Sequence, residues 1–461
     1  MNRVFEIFEE LSAIPRGSGN VKAVSDWCTA YAKKRGFEAV QDEHHNCLIR
    51  VPASKGKEEH PTVILQGHLD MVCEKEEGNP HNFETDPIQL KRNGDWLSAN
   101  GTTLGGDNGI AIAYCLALLE EPEISHPALE LFFTADEETG MFGAIGFDPA
   151  LLKGRRMINI DSEEEGVIYV SCAGGRHVEG RMPIEWEPLD RPACAITVSG
   201  LQGGHSGAEI HQGRANAHIL LGKILAGLSC RLIAIDGGKK ANAIPRIATA
   251  VVATEQALDS ETLTALFQRE YGGKDPDVRV NVYHTTANRM MSKQCSDQII
   301  RLLSALPDGV QEWSAELEGL VETSLNCGIV DTTEEDLLIV SSIRSMKDDK
   351  RDALVEQVLK TFADCGFKVK ATDEYPAWEY RADSPLREIV VRKWKEISGE
   401  EPKIAAIHAG LECGLFDEKL EGLDAVSIGP NMQDIHTPRE RLSIASTVRV
   451  WEWICQVLET L

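Results

Sequence analysis

From Met1 to about Pro183 the chain alternates short, almost wholly apolar runs with longer segments whose apolar residues recur at helical spacing. Thr62 to Gln66, Leu129 to Thr134 and Met157 to Ile160 read as strands, and Gly109 to Glu120 as the clearest helix. Strands that are apolar on both faces and separated by helices imply a largely parallel sheet covered on both sides. Such a sheet carries its ligand site at the carboxyl ends of the strands. The pattern returns near the C-terminus, where Asp424 to Ile428 reads as a further strand. Between these parts, from about Leu189 to Tyr380, the texture changes. Ala193 to Ser199, Ala248 to Thr254, Val278 to Tyr283 and Leu337 to Ser342 look like antiparallel strands alternating with helices, without an obvious internal repeat. The predicted fold class is α/β, a main domain with a mostly parallel central sheet covered by helices, interrupted by an inserted α+β domain. The expected division is 1–188 for the first part of the main domain, 189–380 for the insert and 381–461 for the second part.

The polar residues that break this pattern fall where the strands end. His68 and Asp70 follow the first strand, Glu137 and Glu138 the second and Asp161 the third, and His436 lies in the loop beyond the last. Residues two apart in a strand share a face, so His68 can ligate a metal while Asp70 takes the proton of the other ring nitrogen and fixes the tautomer. Alone, that pair reads first as an ordinary hydrogen-bonded histidine. The other carboxylates change the reading, because two metals a few ångströms apart need a bridging carboxylate, terminal imidazole or oxygen ligands, and open positions. Asp107, in Gly105-Gly106-Asp107-Asn108-Gly109, is the candidate bridge, with a helix N-cap as its other reading. Adjacent side chains diverge in an extended backbone, so of Glu137 and Glu138 one can bind metal while the other faces the metal-activated water. A solvated acidic loop is the alternative, and it is the reading that fits Glu163-Glu164-Glu165. In the glycine-dense turn Gly200 to Gly207, positive φ explains the glycines but not His205, which is a candidate donor to a tetrahedral oxyanion.

Length and charge narrow the field. A chain of 461 residues exceeds what one core organises, so two or three domains are expected. Its 73 acidic against 47 basic residues give a net charge of -26, which argues against nucleic acid or an anionic membrane surface as partner. No uninterrupted apolar run suits a signal peptide or a membrane span. The 12 cysteines form no Cys-x-x-Cys pair and read as buried hydrophobes in a reducing compartment, so a cytoplasmic location is expected.

Six ordered motifs resemble a known family. They are Gly67-His68-Leu69-Asp70-Met71-Val72, Thr103-Leu104-Gly105-Gly106-Asp107-Asn108-Gly109, Ala135-Asp136-Glu137-Glu138-Thr139-Gly140, Asn159-Ile160-Asp161-Ser162, Gly204-His205-Ser206-Gly207 and His408-Ala409-Gly410-Leu411-Glu412-Cys413-Gly414. Over essentially its whole length the chain resembles the dinuclear zinc aminopeptidase, deacylase and carboxypeptidase G superfamily, within it the carnosinase-like Xaa-His dipeptidase branch, also called aminoacyl-histidine dipeptidase. The resemblance implies a zinc-peptidase-like catalytic domain with the insert as a lid. It implies two divalent ions, zinc first with manganese and cobalt compatible, one held by His68, Asp107 and Asp161 and the other by Asp107, Glu138 and His436. Glu137 then becomes the general base, Asp70 orients His68, and His205 is the lid histidine, acting within one chain as in relatives with an enlarged lid. Asn242 in Ala241-Asn242-Ala243-Ile244-Pro245 and Arg344 in Ser341-Ser342-Ile343-Arg344 resemble residues that hold the free carboxylate of the substrate, with Gly410 offering backbone contacts. An ordinary ion pair is the other reading of Arg344. Gly-Gly-Asp-Asn-Gly around the bridge, and Asp rather than Glu at position 161, favour a peptidase acting on a free amino terminus over a deacetylase.

The function that follows is metal-dependent hydrolysis of unblocked dipeptides, with Xaa-His substrates including β-alanyl-histidine. A tripeptidase or an N-acyl-amino-acid deacylase of the same architecture is the enzymatic alternative. A binding protein that has lost catalysis is the other class, and the intact Glu137 and ligand set argue against it. Oligomeric state is open, a homodimer included.

Overall fold

The computed structural model describes residues 2–315 and 319–461. The chain divides into two compact units, one comprising residues up to Ser171 with Tyr380–Ala406 and Leu411–Leu461, the other Cys172–Glu379 with Ile407–Gly410.

The first unit is built on an eight-stranded sheet in the order Glu38–Gln41, Cys47–Val51, Leu129–Thr134, Val63–His68, Arg156–Asn159, Asp424–Ser427, Val167–Cys172 and Lys403–Ile407. Its centre is parallel: Val63–His68 pairs in parallel with Leu129–Thr134 on one side and Arg156–Asn159 on the other, and the latter pairs in parallel with Asp424–Ser427. The flanking strand pairs Glu38–Gln41 with Cys47–Val51, and Cys47–Val51 with Leu129–Thr134, are antiparallel. Val63–His68 and Leu129–Thr134 are buried along their whole length, as their unbroken apolar sequences require when helices cover both faces. The helix Gly106–Leu118 is apolar all round from Ile110 to Leu118 and lies buried in the core with Asn2–Ser12, Lys22–Lys34, Pro385–Ser398 and Ile444–Thr460. Asp107 and Asn108 have non-helical φ/ψ, so the regular helix starts at Gly109, as the sequence suggests. A small antiparallel sheet, Met432–Gln433, Arg441–Ser443, Trp96–Ala99 and Leu90–Asn93, flanks it. Glu165 departs from the expected solvated loop: it pairs with Arg449 of the last helix at 2.7 Å, and its backbone N–H donates to Asn431.

The second unit holds a nine-stranded antiparallel sheet. Its order is Arg279–Thr285, Ala193–Ser199, Ala248–Ala253, Arg231–Gly237, Val321–Thr332, Asp336–Ser345, Gly174–Pro183 and Lys368–Tyr375, with Gly309–Trp313 also paired to Val321–Thr332. Helices Ala217–Ala226, Ser260–Tyr271 and Lys293–Ala305 are started by Asn216, Asp259 and Ser292, whose side chains accept from free backbone N–H groups of the first turn. This unit begins at Cys172 rather than near residue 189. Gly174–Pro183 is the cause, since it pairs with Asp336–Ser345 and with Lys368–Tyr375. That strand, GGRHVEGRMP, has no apolar run and little β-branched character, so nothing local in the sequence marks it.

Candidate functional site

The carboxyl ends of the central parallel strands and the turns beyond them bring His68, Asp70, Asp107, Glu138, Asp161 and His436 together. His68 closes its strand with its ring buried, Nε2 being 3.1 Å from Asp107 Oδ1 and 3.5 Å from Asp161 Oδ1. His436 Nε2 lies 3.1 Å from Asp107 Oδ2 and 3.0 Å from Glu138 Oε1. The two oxygens of Asp107 thus face two different imidazoles, and each Nε2 is met by two carboxylate oxygens. One ring N–H cannot serve both, whereas a divalent cation can. The separations of 3.1 and 3.5 Å around His68 bracket the ~3.4 Å between neighbouring ligands of a tetrahedral site with bonds of ~2.1 Å. Ligand atoms of His68, Asp107 and Glu138 all lie within 4.8 Å of one another, a possible metal site. Imidazole and carboxylate donors fit zinc, manganese or cobalt alike.

The electrostatics describe the same cation-seeking pocket. Burial opposes protonation of His68, but Asp161, Asp107 and Asp70 overcome it and raise its pKa well above the ordinary imidazole value. Hydrogen bonds to Asp107 and Glu138 push His436 up to about 11. Burial works to raise Asp107, yet its contacts with His436 and His68 hold it below the usual carboxylate range. Asp161 is raised to about 6 and Glu137 well above its ordinary value, both chiefly by desolvation.

Asp70 does more than stand behind His68. Its Oδ1 lies 3.3 Å from His68 Nδ1, within ion-pair reach but off the line of a hydrogen bond. Its carboxylate accepts from the backbone N–H groups of Glu137 and Glu138 at 3.0 and 3.2 Å and from Ser18 Oγ at 2.7 Å. The acidic pair therefore hangs from the residue that also faces the histidine. Four supporting residues receive no role from the sequence alone, although Asn108 and Glu412 stand within the quoted motifs. Asn108 accepts from His68 N at 3.1 Å and donates to Asp161 Oδ1 at 2.8 Å. Buried Arg16 donates to the carbonyls of Leu69, Asp70 and Gly105. Buried Glu440 accepts from the N–H groups of residues 104 to 107. Glu412, fully buried and pushed up to about 8 by desolvation, accepts from Thr134 Oγ1 at 2.7 Å and Gln66 Nε2 at 2.5 Å beneath the strand ends.

The remaining four predicted residues belong to the second unit. Gly204–His205 pairs with Ala243–Ile244, which sets Asn242 beside that short ladder with its side chain exposed. His205 Nδ1 accepts from the backbone N–H groups of Gly207 at 3.2 Å and Ala208 at 3.0 Å. Its proton is therefore on Nε2, and burial with the nearby Arg344 lowers its pKa to about 4, leaving a neutral N–H donor. Arg344 is buried, donates to Tyr375 Oη, and has no ion-pair partner among the described residues, so the ordinary ion pair is not what it forms. Its Nε is buried without a partner. A Cβ at Gly410 would lie 2.8 Å from the Tyr375 ring, so Tyr375 links Gly410 to Arg344.

A family model described as Peptidase family M20/M25/M40 matches residues 64–460. The chain belongs to this family. It is 38% identical over 470 residues to the cytosol non-specific dipeptidase of Escherichia coli (strain K12), a match covering 99% of this chain and 97% of that protein. The crystal structure of aminoacylhistidine dipeptidase from Vibrio alginolyticus matches it at a TM-score of 0.90 and 36% identity, covering 100% of this chain and 96% of that one. A tripeptidase from Staphylococcus aureus subsp. aureus Mu50, 15% identical with a TM-score of 0.63 and coverage of 100% and 98%, shares the fold. The protein is thus a metallopeptidase of the M20 fold, as its motifs imply. Among the described residues no helix is long and apolar enough to cross a membrane.

Proposed function

We propose that this peptidase is a cytoplasmic dipeptidase that hydrolyses unblocked dipeptides, Xaa-His substrates among them, with two divalent ions, zinc first. The single observation that carries the reading is Asp107, one carboxylate whose two oxygens face the Nε2 atoms of His68 and His436 at 3.1 Å each. The names of the Escherichia coli and Vibrio alginolyticus relatives support the dipeptide and aminoacyl-histidine assignments, and the former the cytoplasmic one. One ion would be held by His68, Asp107 and Asp161, the other by Asp107, Glu138 and His436. Ions held there would supply Lewis-acid activation of a water and of the scissile carbonyl.

Glu137 accepts the proton of the attacking water and returns it to the leaving amine nitrogen, for which the backbone anchoring by Asp70 holds it ready. Asp70 fixes the orientation of His68. His205 offers its Nε2–H to the oxygen that gains charge in the tetrahedral state; its two backbone donors at Nδ1 are what make that tautomer available. Arg344, a buried cation without a carboxylate partner among the described residues, takes the free carboxylate of the substrate together with Asn242 and the backbone at Gly410. A homodimer is compatible with this reading.

Comparing kcat/KM on glycyl-histidine, β-alanyl-histidine, a tripeptide and an N-acetyl amino acid tests the assignment. The unblocked dipeptides are expected to be preferred. A clear preference for the acetylated compound would replace the dipeptidase with a deacylase.

A further inference from the structure

We propose that Glu440 is a positioning residue that fixes Asp107 and His436 relative to each other, and so sets the cation site these two share with Glu138. The proposal rests on the ligand assignment above and adds to it a residue that touches neither metal nor substrate. Glu440 is 2% exposed, and both its oxygens are occupied. Oε2 accepts from Leu104 N at 2.7 Å and Gly105 N at 3.0 Å, and Oε1 from Gly106 N at 2.8 Å and Asp107 N at 3.3 Å. Four successive N–H groups turned to one side form a concavity for an anion. Here a side chain fills it, and the last of the four belongs to Asp107 itself.

The same residue closes the loop that carries His436. Met432–Gln433 pairs with Arg441–Ser443, so residues 434 to 440 form the connection of a hairpin whose last residue is Glu440. Within it Glu440 N donates to Thr437 O at 3.1 Å, Thr437 Oγ1 to Asp434 O at 2.7 Å, and Arg439 N to Thr437 Oγ1 at 3.1 Å. His436 takes a left-handed φ of 58°, a conformation that such a closed loop must hold in place. One carboxylate thus pins two ligand-bearing segments more than 300 residues apart, Leu104 N and Glu440 being separated by 336.

The His68 half of the centre has its own supports. Asn108 joins His68 N to Asp161, and Arg16 joins Leu69 and Asp70 to Gly105. Loss of Glu440 leaves these in place, so its effect is larger on the site of His436 and Glu138 than on that of His68 and Asp161, although both share Asp107, whereas a general loss of stability weakens the two alike.

The experiment is a Zn²⁺ titration of the metal-stripped full chain, read by calorimetry and by metal content after dialysis, with circular dichroism and melting of the metal-free proteins alongside. In Glu440→Gln an amide NH2 replaces one oxygen and opposes two backbone N–H groups. One of the two equivalents is expected to weaken by about 10–100-fold, the range for groups behind metal ligands, while the other, which shares Asp107 but keeps the supports of His68 and Asp161, weakens by a clearly smaller factor. Gly106→Ala is the second variant, since its Cβ would lie 3.3 Å from Glu440 Oε1 and press on the carboxylate without removing it. It is expected to weaken the same equivalent by a smaller factor, and it decides alone if Glu440→Gln does not fold. Both equivalents weakened alike, or neither, in variants that melt like the parent would overturn the proposal. A parent that takes up no zinc would instead overturn the ligand assignment, and this proposal with it.

Discussion

At the scale of single residues, the proposed chemistry separates groups that would touch the reacting atoms from groups that would hold them. Glu137 is assigned to the first kind and Asp70 to the second, although one hydrogen bond of 3.0 Å joins them. Glu137→Ala is therefore expected to lower kcat by about 10²–10⁴-fold while leaving zinc content unchanged, measured by steady-state kinetics and elemental analysis. Hydrolysis at the parental rate in that variant would remove the general base from Glu137. Arg344 predicts a different signature. Arg344→Lys loses the planar fork that matches a carboxylate, so KM should rise for dipeptides with a free carboxylate and stay level for their C-terminal amides. A rise on both substrates would contradict the assignment. His68, Asp107, Glu137, Glu138 and Asp161 were legible because metal and proton chemistry needs these residue types and they stand directly after apolar strands or before a helix. Arg16 and Glu440 were not, because their partners are backbone groups of segments far away in sequence, and a carboxylate that accepts from N–H groups leaves no local pattern.

Elements position the site through close approach of backbones. Val63–His68 lies against the start of the helix Gly106–Leu118 so tightly that a Cβ on Gly67 would sit 2.3 Å from Asn108 Oδ1 and 2.6 Å from Ala111 Cβ. Gly67→Ala is expected to cost about 1–3 kcal/mol of stability and to weaken zinc binding, since Asn108 holds both His68 N and Asp161. Denaturant unfolding with and without zinc checks it, and an unchanged midpoint would show that the strand and helix can separate freely. The same contrast explains which elements the sequence disclosed. Leu129–Thr134 and Ala193–Ser199 fall where apolar patterning puts them. Gly174–Pro183 and the small sheet around Arg441–Ser443 owe their form to pairing with distant strands, which short polar or glycine-rich segments do not advertise.

For the molecule as a whole, the buried histidines tie stability to pH. His218, fully buried with Nδ1 3.0 Å from Cys327 O, has its pKa pushed down to about 4 by desolvation. The unfolded chain, with an ordinary value near ~6.5, binds the proton first as pH falls, so stability is lost between ~6.5 and about 4 and is fully present above that window. His218→Gln should flatten this slope, so that the difference in melting temperature between parent and variant changes between pH 7.5 and pH 5. A difference independent of pH would contradict it. The net charge of -26 argued against nucleic acid or an anionic membrane surface as partner but could not point to a cation site, because most of the acidic residues lie outside the centre. What points to a possible one is the convergence of Asp107, Glu138 and Asp161 on two imidazoles. The most direct test is removal of metal with a chelator, verified by elemental analysis, followed by readdition of Zn²⁺, Mn²⁺ or Co²⁺ while hydrolysis of glycyl-histidine is followed. Hydrolysis is expected to disappear with the metal and to return as two equivalents per chain are restored. Full hydrolysis by the metal-free protein, or a protein that takes up no divalent ion, would contradict it.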